Sequence, residues 1–330
     1  MFRYSRDPRF YPPPPPEPKK QTFVLNGNLQ PLPPPMTKPP MVKPPMQYRA
    51  LAFRDIGKSI GDLLGKDYPI NGIKLEAKSI TSNGVFFLAN GFRDAKTGAI
   101  SGEMKTKYHD KTNGITYTES WSSNNVLSST IELFNTLSPG LKLEFNGSYN
   151  PSNGNKGTKV TAEYRKNGIF SRCNVDLFKG PIVNSDFCIN QRGLLIGAET
   201  AYNLRDSKLI RYNLGVGYNA PGYSLALQAF EGLNTYSASY FHRVNPQIEA
   251  GTKATWNKNK AGPVNVEFGT RYILNRDAFV KAKIDMNGRL GLGFVQNLNN
   301  GIRVSVGGSF DTKRMNENVH KVGMNISFNQ

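Results

Sequence analysis

The feature that most constrains this chain is a series of short alternating segments that runs from Gly72 to the C-terminal end. About nineteen segments follow one another, each roughly nine to eleven residues long, and apolar and polar residues alternate along them. Turn sequences such as SNG, TNG, NAPG and NNG separate the segments. Because no helical pattern intervenes, the sequence predicts strands that pair in chain order as one antiparallel meander.

The two faces of these predicted strands differ in polarity. In GLKLEFNGSY, Leu141, Leu143 and Phe145 lie on one face, whereas Lys142 and Glu144 lie on the other. A soluble barrel would bury the apolar face, but a barrel of about nineteen strands is too wide for side chains to fill. The apolar face must therefore point outward into lipid and the charged face inward around water. The sequence predicts an all-β transmembrane barrel over residues 70–330.

Composition and charge limit the alternatives to this barrel. Hydrophobic residues make up 38% of the chain, and a two-sheet sandwich would need a larger share to fill its core. No window approaches the ~18 consecutive apolar residues of a membrane helix. The formal net charge of +18 requires an anionic partner or environment. Nucleic acid is not the expected partner, because the aromatic residues lie on the face opposite the charges.

The inward face has more cations than anions, which predicts a positive lumen that prefers anions. We expect a weak preference, because charges farther than a Debye length of ~8 Å from a permeating ion are screened. The predicted selectivity residues are Lys74, Lys105, Lys107, Lys142, Lys159, Arg165, Arg211, Lys253, Arg271, Lys281, Lys283 and Arg303.

Two further segments precede the predicted barrel. Residues 1–46 hold 15 of the 22 prolines and predict a disordered extension of polyproline character, for which a proline-recognising partner is an open alternative. Within residues 47–68, apolar residues recur from Phe53 to Leu64 at helical spacing, with Gly57 and Gly61 between them. This pattern predicts a short amphipathic helix, which could lie on a membrane or pack into a wall.

Residues that could support chemistry are scattered. Cys173 and Cys188 lie on opposite predicted faces and lack metal-ligand spacing, so two free thiols are expected. His109, His242 and His320 form no ligand pair. Because no acid–base pair with a nucleophile stands out either, we expect no metal, no cofactor and no enzymatic activity.

Several longer stretches resemble the mitochondrial voltage-dependent anion channel family, and the resemblance is close to fungal members. They are DIGKSIGDLLGKDY, GITYTESW, SPGLKLEF, VDLFKGP, YSASYFHRVNPQIEAGTKATWN and SFDTKRMNENVHKVGMNISF, and they follow one another in family order. The resemblance implies a nineteen-stranded barrel with its amphipathic helix, here about residues 48–64, inside the lumen. It also implies passage of ATP, ADP, phosphate and other small hydrophilic metabolites through the mitochondrial outer membrane, with partial closure under voltage. Residues 1–46 depart from the family pattern.

The same resemblance implies particular site residues. The family's nucleotide-binding residues match Lys58, Lys66, Gly140, Leu141 and Lys142. The residues that contact a reduced dinucleotide match Leu290, Gly291, Gly307, Gly308, Ser309, Phe310 and Asp311. The ending KVGMNISF resembles the sorting signal of mitochondrial outer-membrane barrels, through Lys321, Gly323, Ile326 and Phe328. The related protein-import pore of the same membrane, whose members have N-terminal extensions, is the alternative function. A bacterial porin is not expected, because the chain shows no secretory signal.

One carboxylate stands on the apolar face. In GITYTESWSS, Glu119 lies between Tyr117 and Trp121, where an ionisable group is expected to be functional. The resemblance links a glutamate at this place to contacts between barrels and to docking of partners, among them hexokinase-like proteins. The interpretations are a pH-responsive contact in a homo-oligomer of barrels, or a side chain that reaches the membrane interface and has no role.

Overall fold

The computed structural model describes residues 50–178, 180–260, 262–298, 301–317 and 319–329. The predicted extension over residues 1–46 lies outside the described residues, as do the first residues of the predicted pore-helix segment.

Nineteen strands, all within the described residues, form one closed sheet, which confirms the predicted barrel. The strands are β1 Gly72–Ile80, β2 Val85–Asp94, β3 Ile100–Asp110, β4 Ile115–Ser122, β5 Leu127–Phe134, β6 Leu141–Tyr149, β7 Lys156–Lys166, β8 Ile169–Asp176, β9 Ile182–Gln191, β10 Leu194–Asn203, β11 Lys208–Ala220, β12 Tyr223–Phe230, β13 Thr235–Arg243, β14 Ile248–Asn257, β15 Asn265–Ile273, β16 Ala278–Asp285, β17 Arg289–Leu298, β18 Ile302–Asp311 and β19 Lys321–Asn329.

The closing pair differs from the antiparallel arrangement of the other pairs. β1 and β19 run parallel, with Gly72 opposite Gly323 and Lys78 opposite Asn329. Successive strands in a meander alternate in direction, so an odd number leaves the first and last strands pointing the same way. Closure of a nineteen-stranded meander therefore requires one parallel pair.

The exposure of side chains is the reverse of that in a soluble protein. On β11, Leu214, Val216 and Tyr218 are 48%, 46% and 40% exposed, whereas Asn213 is 4% exposed. The carboxylate of Glu249 is likewise buried on the inner face. An apolar outer face on a closed ladder, which leaves no backbone edge unpaired, is what a bilayer requires of a strand-built protein.

The segment before β1 is a broken helix. A 3₁₀ turn covers Phe53–Asp55, and a helix, α1, covers Lys58–Gly65. The predicted amphipathic helix is confirmed over residues 58–64, whereas residues 53–55 form a 3₁₀ turn instead. Gly57, with a φ of 71°, is the left-handed N-cap of α1 and ends the turn before it. Of the helices that the structure describes, none is long and apolar enough to cross a membrane.

The buried apolar core lies between this segment and the inner wall of the barrel. The first cluster contains Ala52, Phe53, Ile56, Phe170, Cys188, Leu195 and Ala226. The second contains Ile60, Leu63 and Leu64, against Phe241. The apolar side of the segment therefore packs into the wall, which decides between the two placements that the sequence left open.

Candidate conduction pathway

Glycines on the inner face make room for the segment that precedes β1. A Cβ added at Gly251 would lie 2.5 Å from Cδ1 of Ile60, and one added at Gly269 would lie 2.6 Å from Cδ2 of Leu64. Similar close approaches recur at Gly197, Gly215, Gly217, Gly293, Gly307 and Gly323. We call these eight residues the glycine seat. The alternation of the strands did not predict this seat, although each of its glycines stands on the polar face of its strand.

Side chains of the wall anchor the beginning of the segment. The N–H of Phe53 donates to Oδ1 of Asp186 at 3.1 Å, and Arg172 pairs with the same carboxylate at 3.0 Å. Nε2 of Gln228 donates to the carbonyl oxygen of Ile56 at 3.2 Å. The polar backbone of the segment is therefore satisfied where its apolar side chains are buried.

Three wall cations anchor the end of the segment. Nζ of Lys281 donates to the carbonyl oxygens of Asp62 at 2.8 Å and Lys66 at 2.9 Å. Nζ of Lys283 donates to the carbonyl oxygen of Leu64 at 2.6 Å. Arg303 pairs with the carboxylate of Asp67 at 2.8 Å, which Lys281 also approaches at 3.4 Å.

The carboxylate of Asp55 closes the first turn of the segment on its lumen side. It accepts a hydrogen bond from the N–H of Ala52 and pairs with Lys58, both at 3.1 Å. Burial by itself raises the pKa of Asp55, but the contacts with Lys58 and Ala52 and the charge of Arg54 lower it more. The pKa is therefore below its ordinary value, and the carboxylate is ionised throughout the neutral range.

The registers of the strands place all twelve predicted selectivity cations on the inner face. Eight of them form ion pairs: Lys74 with Glu76, Lys107 and Lys142 with Glu132, Arg165 with Glu163, Arg211 with Glu199, Arg271 with Glu249, and Lys281 and Arg303 with Asp67. Among the described residues, Lys105, Lys159, Lys253 and Lys283 form none. The first three of these also make no hydrogen bond within the same residues, although the register places Lys159 opposite Asp176 and Lys253 opposite Glu267.

The residues carried over for nucleotide contacts separate into two groups. Lys58 and Lys66, 56% and 63% exposed, project into the lumen on either end of α1. With them on the inner face lie Lys142, Gly291, Gly307, Ser309 and Asp311. Leu141, Leu290, Gly308 and Phe310 lie on the outer face by the same registers, so they cannot contact a nucleotide in the pore. Gly140, with a φ of 89°, turns the chain into β6, where a side chain would collide with the carbonyl oxygen of Arg165.

Glu119 lies on the outer face, as its position in the alternation predicts. The hydroxyl of Tyr117 donates a hydrogen bond to Oε1 of Glu119, and Oγ of Ser129 donates to the same hydroxyl at 3.3 Å. Thr106 and Ser129 stand directly beside Glu119 on the neighbouring strands. The carboxylate is therefore held in a small polar patch on the lipid-facing surface.

The four residues of the predicted sorting signal are divided between the faces of β19. Lys321 and Gly323 are on the inner face, and Ile326 and Phe328 are on the outer face opposite Val304 and Ile302. Gly323 also has a structural role, because a Cβ there would lie 2.8 Å from the backbone of Pro69 and Ile70.

A family model described as eukaryotic porin matches residues 50–323 of the chain. The chain belongs to the eukaryotic porin family. Its barrel, inner charges and wall-packed segment are therefore those of a porin, and the resemblance drawn from the sequence is confirmed.

The similarity to individual family members covers nearly their whole length. The chain is 39% identical over 278 residues to the mitochondrial outer membrane protein porin of Candida albicans, across 84% of this chain and 98% of that protein. It is 38% identical to the protein of the same name from Neurospora crassa, with the same coverage. It is 32% identical over 279 residues to the voltage-dependent anion-selective channel of Drosophila melanogaster, across 83% of this chain and 97% of that protein.

Proposed function

We propose that this porin is a voltage-gated, weakly anion-selective channel through which ATP, ADP, phosphate and other small hydrophilic metabolites diffuse. The protein is a eukaryotic porin, and its fungal relatives are named as mitochondrial outer membrane proteins. It therefore resides in the mitochondrial outer membrane. The observation that supports the proposal most is the inner face, where Lys105, Lys159 and Lys253 form no ion pair or hydrogen bond among the described residues. Lys58 and Lys66 add exposed cations along the path of a phosphate-bearing solute.

Conductance in a planar bilayer with a salt gradient tests this proposal. A large conductance, a reversal potential that indicates mild anion preference, and partial closure at both polarities are expected. Addition of ATP should lower the current in proportion to its concentration, and Lys58→Gln with Lys66→Gln should weaken that effect. Cation preference in the unmodified protein would instead favour the protein-import function.

We further propose that Glu119 mediates a contact between two barrels. Its polar patch places the carboxylate beside the hydroxyls of Tyr117 and Ser129, and these hydrogen-bonding groups can pair with a second copy. Chemical crosslinking in liposomes at pH 5 and pH 8 measures this. Dimer yield should rise at pH 5 in the wild type and lose its pH dependence in Glu119→Gln. Glu317→Gln makes the same change outside the strands and is the control. If the dimer yield of the wild type, Glu119→Gln and Glu317→Gln changes equally between pH 5 and pH 8, the contact is rejected.

The Pro-rich residues 1–46 are the second proposed docking region, for a protein that recognises polyproline segments. A truncation that begins at residue 47 should keep the channel activity and lose capture by immobilised proline-binding domains. Capture that survives the truncation would contradict this assignment. A hexokinase-like partner, which the family resemblance implies, should bind both forms if it docks at the polar patch of Glu119.

A further inference from the structure

Helix α1 ends at its C-cap, Lys66, whose ammonium group pairs with Oδ1 of Asp62 at 2.8 Å. The last turn of the helix lacks a basic residue, whereas the final carbonyl oxygens of a helix have no partner within the helix and carry partial negative charge. The barrel wall provides the missing donors. Lys281 and Lys283, two residues apart on β16, reach Asp62, Leu64 and Lys66.

Lys281 is enclosed by this end of the segment. The residue is 4% exposed, and its ammonium group has three acceptors within reach: two carbonyl oxygens and Oδ2 of Asp67. An ammonium group has three N–H donors, so its hydrogen-bonding capacity is filled by the segment. A permeating anion would have to displace the segment to reach it.

Lys283 is committed in a similar way. Its ammonium group donates to Leu64 and lies 4.7 Å from the ring centroid of Tyr68, within the range of a cation–π contact. Arg303 completes the arrangement from β18 through the carboxylate of Asp67. By contrast, Lys105 and Lys159 stand at alternating positions of the same kind and, among the described residues, form no hydrogen bond and no ion pair.

We propose that Lys281 and Lys283 are positioning residues, which cap α1 from the wall and fix the end of the segment in the lumen, and that Lys105 and Lys159 belong to the anion-selecting charge. The inner cations of this porin thus divide into a group that holds the segment and a group that acts on ions. The electrical part of this inference rests on the proposed channel function, but the capping part does not.

A thiol reporter tests the capping part. In a chain with Cys173→Ser and Cys188→Ser, Leu64→Cys places a single thiol against the glycine seat, where a membrane-impermeant maleimide reacts only when the segment leaves the wall. Lys281→Met with Lys283→Met should raise the labelling rate at least tenfold. The matched control is Lys105→Met with Lys159→Met, which removes the same charge from strands that do not hold the segment, and its rate should stay within twofold of the parent.

The native thiol of Cys188 gives an internal comparison, because it lies beneath the beginning of the segment. In a chain with only Cys173→Ser, the positioning variants should change its labelling less than that of the Leu64→Cys reporter. A labelling rate at residue 64 that is unchanged by loss of both lysines would overturn the proposal. Should the double variant fail to insert, Lys283→Met alone removes the donor to the carbonyl oxygen of Leu64, and an unchanged rate there would count equally against it.

Planar-bilayer recordings test the electrical part. Loss of Lys105 and Lys159 should shift the reversal potential toward cations more than loss of Lys281 and Lys283, which should instead make the open current unsteady. A larger shift from Lys281 and Lys283, with a steady current, would overturn the division. If no variant and no wild-type protein conducts, the proposed channel function fails, while the labelling result still decides the capping part.

Discussion

At the scale of single residues, the decisive property of an inner charge is what covers it. Lys105 and Lys283 occupy equivalent positions in their strands, yet one faces water and the other donates to the carbonyl oxygen of Leu64. Alternation assigned all twelve inner cations to the correct face, because the side-chain period of a strand is two. The alternation could not predict which of these cations have a partner. The partners of Lys281 and Lys283, for example, lie more than two hundred residues away in the sequence.

Charge reversal at one uncovered residue gives the first prediction. Lys105→Glu changes the lumen charge by two units beside the path of the ions, so the reversal potential in a salt gradient should move toward cation preference. Lys111→Glu makes the same change in the turn after β3 and should move it much less, because a charge outside the lumen is screened over ~8 Å. Equal shifts would mean that total charge, and not its position in the lumen, sets the preference.

A pH dependence follows from Asp55. The pKa of Asp55 is lower in the folded protein than in the unfolded chain, where it is about 3.9. The contacts of the ionised carboxylate therefore stabilise the folded protein fully above pH 3.9. This stabilisation is lost as the pH falls through the lower pKa of the folded protein. Asp55→Asn should therefore lower the melting temperature by about 1–3 °C, a small amount because Lys58 is exposed. The difference should be constant from pH 8 to pH 5 and vanish in strong acid; a difference that already shrinks at pH 6 would contradict it.

At the scale of elements, the glycine seat and the segment fit each other. The amphipathic pattern predicted α1 and its apolar side, with an interruption at Gly57, but not the course of the segment along the wall. A glycine on the polar face of a strand pattern marks a close approach without naming the approaching group. The sequence therefore predicted both elements and could not predict how they meet.

A pair of glycine substitutions tests this fit. In Gly215→Val, the new side chain would meet Phe53 and Ile56, which lie within 3.2 Å of its Cβ position. We expect displacement of the segment and faster maleimide labelling of Cys188, in a chain with Cys173→Ser. Gly61→Ala, at a position of α1 with no atom within 4 Å, should leave that labelling slow and favour the helix by roughly 1 kcal/mol. Slow labelling in Gly215→Val would show that the seat tolerates a side chain.

At the scale of the whole molecule, the odd strand number has an energetic consequence. The parallel seam between β1 and β19 contains seven paired positions, whereas the antiparallel pair β10–β11 contains ten. The antiparallel pair β15–β16 also contains seven, but parallel pairing is slightly less stable per residue, so we expect the seam to be the weakest line in the wall. Amide hydrogen exchange in nanodiscs should be faster on β1 and β19 than on β10 and β11. Uniform protection around the barrel would contradict this prediction.

The proposed function requires that the inward charges make a wide, mildly anion-preferring pore. The most direct test is the reversal potential of the purified full-length protein in a planar bilayer with a tenfold KCl gradient, recorded at low voltage. We expect a potential of the sign that chloride permeation produces, at a magnitude well below that of a perfectly chloride-selective membrane. A potential of the opposite sign would contradict the account, and it would require a different role for the inner lysines.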